Sequence, residues 1–95
     1  MTLSPDLPTL IFYTRDECHL CDETGVDLQA VLEERVERGE PIARVRTVDI
    51  DTEPDLKARY NDFVPVLALH GRELPLAMGR RAIERFLDST LGVLA

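Results

Sequence analysis

The sequence predicts one α/β domain in the order β-α-β-α-β-β-α, a four-stranded mixed sheet flanked by helices. Three observations predict it. "TLIFYT" at Thr9–Thr14 is a continuous apolar, β-prone run of strand length. A strand without polar alternation is buried on both faces, which places it centrally in a sheet. A long helical period separates it from a second β-rich run, and strand–helix–strand implies a right-handed parallel crossover. His70-Gly71, between "VPVLAL" and "RELPL", is a tight-turn signal that folds two further strands back on each other.

Each element follows in order. Ser4, Pro5 and Pro8 mark an irregular lead-in over residues 1–8, and Thr9–Thr14 is the first strand. A helix is expected from about His19 to Arg38, where Cys21, Gly25, Leu28, Leu32 and Val36 recur at helical spacing with Val31 and Arg35 alongside. Glu33, Glu34, Glu37 and Arg38 form its solvated face, Gly39 supplies a C-terminal stop, and Pro41 excludes further helix. Ile42–Ile50 reads as the second strand. Next, "DIDTEPDLKARYND" carries a helix-start signature: Thr52 as cap, Glu53 and Asp55 in the first turn, Pro54 tolerated there. This short helix runs from Glu53 to Tyr60, and Asn61 can end it in a left-handed conformation. Val64–Leu69 is the third strand, with Pro65 at its beginning or on an edge, because proline cannot donate a ladder hydrogen bond. Arg72–Leu76 is the fourth strand. Ile83, Phe86 and Leu87 form the apolar stripe of a last helix over Arg80–Ser89.

Ninety-five residues make one domain, 1–95, near the lower end of sizes that fold on a single core. With 44% hydrophobic residues, 31% charge and no tryptophan, a soluble globular chain with a Leu, Val and Ile core is expected. No apolar run approaches the ~18–20 residues of a membrane span. Met1–Leu10 lacks a basic start followed by an apolar stretch, so no signal peptide is expected and the expected location is the cytoplasm. A formal net charge of −7 repels nucleic acid and anionic membranes, so neither is an expected partner. A monomer is expected.

The two cysteines of the chain, Cys18 and Cys21, stand in "FYTRDECHLCD". A disulfide closing so short a loop adds little stability, and reducing compartments disfavour structural disulfides. Redox or metal chemistry is favoured, with two buried thiols as the bland alternative. Tetrahedral zinc wants four ligands, and this chain adds only His19, inside the C-x-x-C, and His70, in the hairpin turn. One copy is therefore a poor zinc site, and no metal is expected. A dimer sharing two dithiols round zinc or an iron–sulfur cluster stays open.

From Leu10 to Leu87 the chain resembles the minimal thioredoxin fold of the glutaredoxins. Cys18-His19-Leu20-Cys21 falls where the first strand meets the first helix, and Val64-Pro65 opens the third strand where that family has a cis-proline. Arg15, three residues before Cys18, matches a basic residue common there. The departures are equally specific. Neither residue between the cysteines is proline, and "MGRRAIERF" offers Gly79, Arg80 and Arg81 where glutaredoxins carry Gly-Gly followed closely by Asp for the amino-acid end of glutathione. The match is closest to glutaredoxin-like proteins of uncharacterised function.

The resemblance implies a thiol–disulfide oxidoreductase in cell redox homeostasis. At a helix start Cys18 meets unsatisfied N–H groups and the positive dipole end, so it is the expected nucleophile, of lowered pKa. Cys21, one turn in on the buried side, is the expected resolving thiol. Arg15 and His19 favour the thiolate, whereas Asp16, Glu17, Asp22 and Glu23 oppose it. Leu20 is an apolar rim or packing residue. A cis Val64–Pro65 bond would bring its loop against the dithiol and leave Val64 backbone groups to pair an extended substrate, and Gly79 and Arg80 complete the expected substrate-binding set. The expected partner is a disulfide-containing protein or a small thiol. No cofactor is expected; glutathione is possible but not favoured, because the acidic surround repels an anion. The alternative in another class is a binding or adaptor module without catalysis.

Overall fold

The apolar run Thr9–Thr14 forms β1 in the interior of the sheet, parallel to β2 (Arg44–Asp49) on one side and antiparallel to β3 (Val66–Leu69) on the other. β4 (Arg72–Leu74) pairs antiparallel with β3, giving the strand order β2-β1-β3-β4. This computed structural model describes residues 7–93; the expected lead-in lies almost wholly outside them. The helices are α1 (His19–Glu37), α2 (Pro54–Tyr60) and α3 (Arg80–Leu91), in the predicted order.

Strand alternation sorts the core. Leu10, Phe12, Leu67 and Leu69 share the face covered by α1 and α3, and meet buried Leu28, Val31, Ile83 and Leu87. Tyr13 and Val66 point to the other face, where Tyr60 of α2 stacks on Tyr13 with ring centroids 4.2 Å apart. Covering both faces is what β1, without alternation, requires.

Several expected boundaries shift for identifiable reasons. Thr52 does not cap α2: it sits in a 3-10 turn, Ile50–Thr52, and its hydroxyl donates to the Asp49 carbonyl at 2.7 Å. Glu53 takes the cap position with no side-chain bond. Asn61 is right-handed, φ −51, not left-handed; the Phe63 and Val64 N–H groups both turn back to the Tyr60 carbonyl. β3 starts at Val66 and β4 stops at Leu74 because Pro65 and Pro75 lack the N–H a ladder needs. α3 runs on to Leu91, where Gly92 at φ 87 ends it. His70 and Gly71 adopt φ 52 and 74, as a tight hairpin turn demands.

Arg35 is the exception within the core. Its side chain is 1% exposed. It donates to the Pro41 carbonyl at 2.7 Å, to Asp88 Oδ1 at 2.7 Å and to the Gly92 carbonyl, tying the ends of α1 and α3 to the loop before β2. Helical spacing placed it beside the apolar stripe; the structure shows it as a polar staple with every arm of its guanidinium used.

Candidate active site: a dithiol at the mouth of α1

Cys18 is the N-cap of α1, in extended backbone at φ −104, ψ 100. Its Sγ accepts the Cys21 backbone N–H at 3.1 Å, and its carbonyl accepts that of Asp22 at 3.1 Å. The two cysteines are joined as a disulfide, with Cα atoms 5.2 Å apart. Cys18 is half-buried, whereas Cys21, one turn in, is 4% exposed and packs in the core. The pair is asymmetric: one sulfur at the rim, the other behind it. Glu17, just before Cys18, holds the left-handed φ of 55, which turns the chain from β1 into the helix.

Two loops are bound to this helix mouth. The Val64–Pro65 bond is cis. The Pro65 carbonyl accepts the Ala77 N–H at 2.8 Å, and the Ala77 carbonyl accepts the Thr24 hydroxyl at 2.6 Å. Thr24 is buried one turn past Cys21, so the proline loop, the β4–α3 loop and α1 form one bonded unit. The sequence reading missed Thr24. Its signal was present: a Thr four residues after Leu20 and three after Cys21 lies on the inward side of the helix.

Beside Cys21 a cleft opens between α1 and β2, floored by Phe12 and walled by Arg15, Asp22, Val26 and Thr47. Gly25 keeps it open. A Cβ there would lie 3.5 Å from the Phe12 ring.

A family profile described as a glutaredoxin-like domain (DUF836) matches residues 9–90. The chain belongs to this family. Among solved structures this glutaredoxin-like chain is similar to the Northeast Structural Genomics target XcR50 from X. campestris. The crystal structure of that protein has a TM-score of 0.67 at 32% identity, covering 84% of this chain and 96% of that one. Its solution structure has a TM-score of 0.63. Protein Ne2328 from Nitrosomonas europaea is similar at 26% identity and a TM-score of 0.62, covering 90% of this chain and 98% of that one. No curated protein gives a significant match.

The remaining predicted residues of the glutaredoxin-like site divide. His19 and Leu20 sit with the cysteines in the first turn of α1, and His19 Nε2 lies 3.3 Å from Glu23 Oε1 in a solvent-exposed pair. Such a pair contributes little. Arg15 reaches the cleft beside Cys21, but its guanidinium donates to Asn61 Oδ1 at 3.0 Å. Pro65 is fully buried and the Val64 N–H is taken by Tyr60, so the expected pairing edge retains only the Val64 carbonyl. Gly79, at φ 89, precedes α3. Arg80 turns away and engages Glu34, holding that carboxyl below the usual range through their hydrogen bond. Glu34 lies thirteen residues past Cys21, roughly 20 Å along the helix, so the Arg80 guanidinium does not join the dithiol. Asp62 accepts from Asn61 at 3.3 Å. Among the described residues no three His, Cys, Asp or Glu side chains converge as a metal site. No described helix is long and apolar enough to cross a membrane.

Proposed function

We propose that this chain is a thiol–disulfide oxidoreductase in which Cys18 attacks and Cys21 resolves. The carrying observation is the asymmetry of the pair: Cys18 caps α1 at the rim while Cys21 is buried one turn behind. In the reduced protein the Cys18 thiolate accepts the N–H groups at the helix start and sits at the positive end of the dipole, which favours ionisation. It attacks one sulfur of the substrate, forms a mixed disulfide and expels the other substrate sulfur as a thiolate. The Cys21 thiolate then attacks Cys18 Sγ and releases the second substrate thiolate, leaving the Cys18–Cys21 disulfide. Two electrons pass to the substrate, and the two cysteine protons end on its thiols. A thiol or dithiol reductant restores the starting state by the reverse exchange.

Glutathione fits this site poorly. No Gly-Gly-Asp sequence precedes α3, Arg80 is engaged by Glu34, and the first turn of α1 is flanked by acids. Rates with glutathione-dependent model disulfides are expected to be weak or absent. The deciding experiment compares wild type with Cys18→Ser and Cys21→Ser in a disulfide-reduction assay, read by mass spectrometry. Cys18→Ser should fall to background, and Cys21→Ser should arrest a mixed disulfide on Cys18. Equal rates for wild type and Cys18→Ser would point instead to a binding module.

A further inference from the structure

Eight large apolar side chains are exposed among the described residues, and four of them stand on the segments bonded to the helix mouth. Leu20 is 39% exposed, Phe63 48%, Leu76 50% and Met78 45%. The hydrogen bonds of the site join the segments that carry these four. Leu20 lies one turn before Thr24 on the same helical face, and Thr24 holds the carbonyl of Ala77, between Leu76 and Met78. The Leu76 N–H is bonded to the Phe63 carbonyl at 2.8 Å. Leu76 is also held at φ 48, a left-handed conformation that is unfavourable for a bulky side chain. The turn at Leu76 seats the bonded loop but leaves its apolar side chain half exposed, and strained residues collect where a ligand is held.

Charge decides the occupant. Asp16, Glu17, Asp22, Glu23 and Asp62 are exposed on the same segments, against Arg15 and Arg81. Arg80 is already engaged by Glu34. The surface round the helix mouth thus combines exposed apolar side chains with an excess of carboxylates. We infer that it docks a protein substrate whose disulfide lies in an extended segment carrying both apolar and Lys or Arg residues. Apolar side chains cover Leu20, Phe63, Leu76 and Met78, the cations meet the carboxylates, and anionic disulfides are steered away. This inference rests on the reading of Cys18 and Cys21 as a redox dithiol.

The test uses fully reduced protein in excess, so that one turnover is read without an external reductant. Four substrates are compared: a neutral dithiodipyridine, a disulfide-linked peptide with Leu and Arg beside its cysteine, the same peptide with Glu for Arg, and the same peptide with Ser for Leu. The Leu-Arg peptide should react about tenfold or more faster than its Glu counterpart at about 20 mM salt. That ratio should shrink several-fold at about 0.5 M salt, where the screening length falls to a few ångströms. The Leu-Arg peptide should also outpace the Ser-Arg peptide, and Phe63→Ser or Met78→Ser should narrow that second ratio. Equal rates for all three peptides, with the neutral disulfide still reduced, would overturn the docking inference while leaving the dithiol reading intact. Failure to reduce even the neutral disulfide would overturn both.

Discussion

Cys18 stands between a left-handed residue, Glu17, and the first turn of α1. Its Sγ already accepts the Cys21 N–H across one helical turn, and that donor serves a thiolate better than a thiol. The expected outcome is an alkylation–pH profile with its midpoint below the ~8.5 of a free cysteine; a midpoint at or above that value sinks the proposed activation. Glu17 opposes it. A neighbouring exposed carboxylate acts on the thiolate through water and is weakly felt, so Glu17→Gln should lower the midpoint by a few tenths of a unit. Glu17→Gly separates charge from backbone. The left-handed φ of 55 costs a non-glycine residue about 1–2 kcal/mol, and glycine returns roughly half of that as unfolded-state entropy. Chemical denaturation of Glu17→Gly should therefore show a gain of about 0.5 kcal/mol that Glu17→Gln lacks. The cysteines were legible in the sequence as the chemical centre. The left-handed Glu17 and Leu76 were not, since neither residue type signals positive φ.

Among the elements, α1 carries the site and its two ends are held differently. Gly25 lies in its interior, where glycine costs about 0.5–1 kcal/mol relative to alanine. The added Cβ would make an ordinary contact with the Phe12 ring at 3.5 Å. Gly25→Ala should therefore raise the unfolding free energy by about 0.5–1 kcal/mol, read by chemical denaturation, while narrowing the cleft beside Cys21. A loss of stability would mean that Phe12 cannot accommodate even a methyl group. Arg35 holds the far end. Arg35→Met keeps the apolar stem but strips charged donors from the Pro41 and Gly92 carbonyls and from Asp88. The expected loss is roughly 2 kcal/mol or more, a fall in melting temperature of about 8–16 °C for a domain of this size. Periodicity located both residues on α1, but it could not distinguish a buried arginine from a solvated one. That distinction depends on two carbonyls and a carboxylate supplied by segments six to fifty-seven residues away.

For the whole molecule, the link between α2 and the far face of the sheet makes stability pH-dependent. Burial, then the bond from its hydroxyl to Glu73, then Tyr13 raise the Tyr60 pKa well above its ordinary value of 10.0. Such a group contributes fully below the unfolded-state value and loses its contribution as pH rises above it, because the unfolded chain then gives up a proton that the folded chain keeps. Between about pH 10 and 11.5 the wild type should lose up to about 1.4 kcal/mol per pH unit through this group. Tyr60→Phe should show a flatter slope in urea titrations over that window; an unchanged slope would remove Tyr60 as the cause. The order of elements, the central place of β1, the parallel crossover and the position of the dithiol were all legible in the residues alone, because periodicity, turn residues and proline act over a few neighbours. The sequence did not determine the Thr24–Ala77–Pro65 connection, the removal of Arg80 from the site, the Arg35 staple, or the apolar surface carried by Leu20, Phe63, Leu76 and Met78. Each of these joins residues far apart in the chain, so only the packed sheet and helices could decide which side chains find a partner and which are left facing solvent.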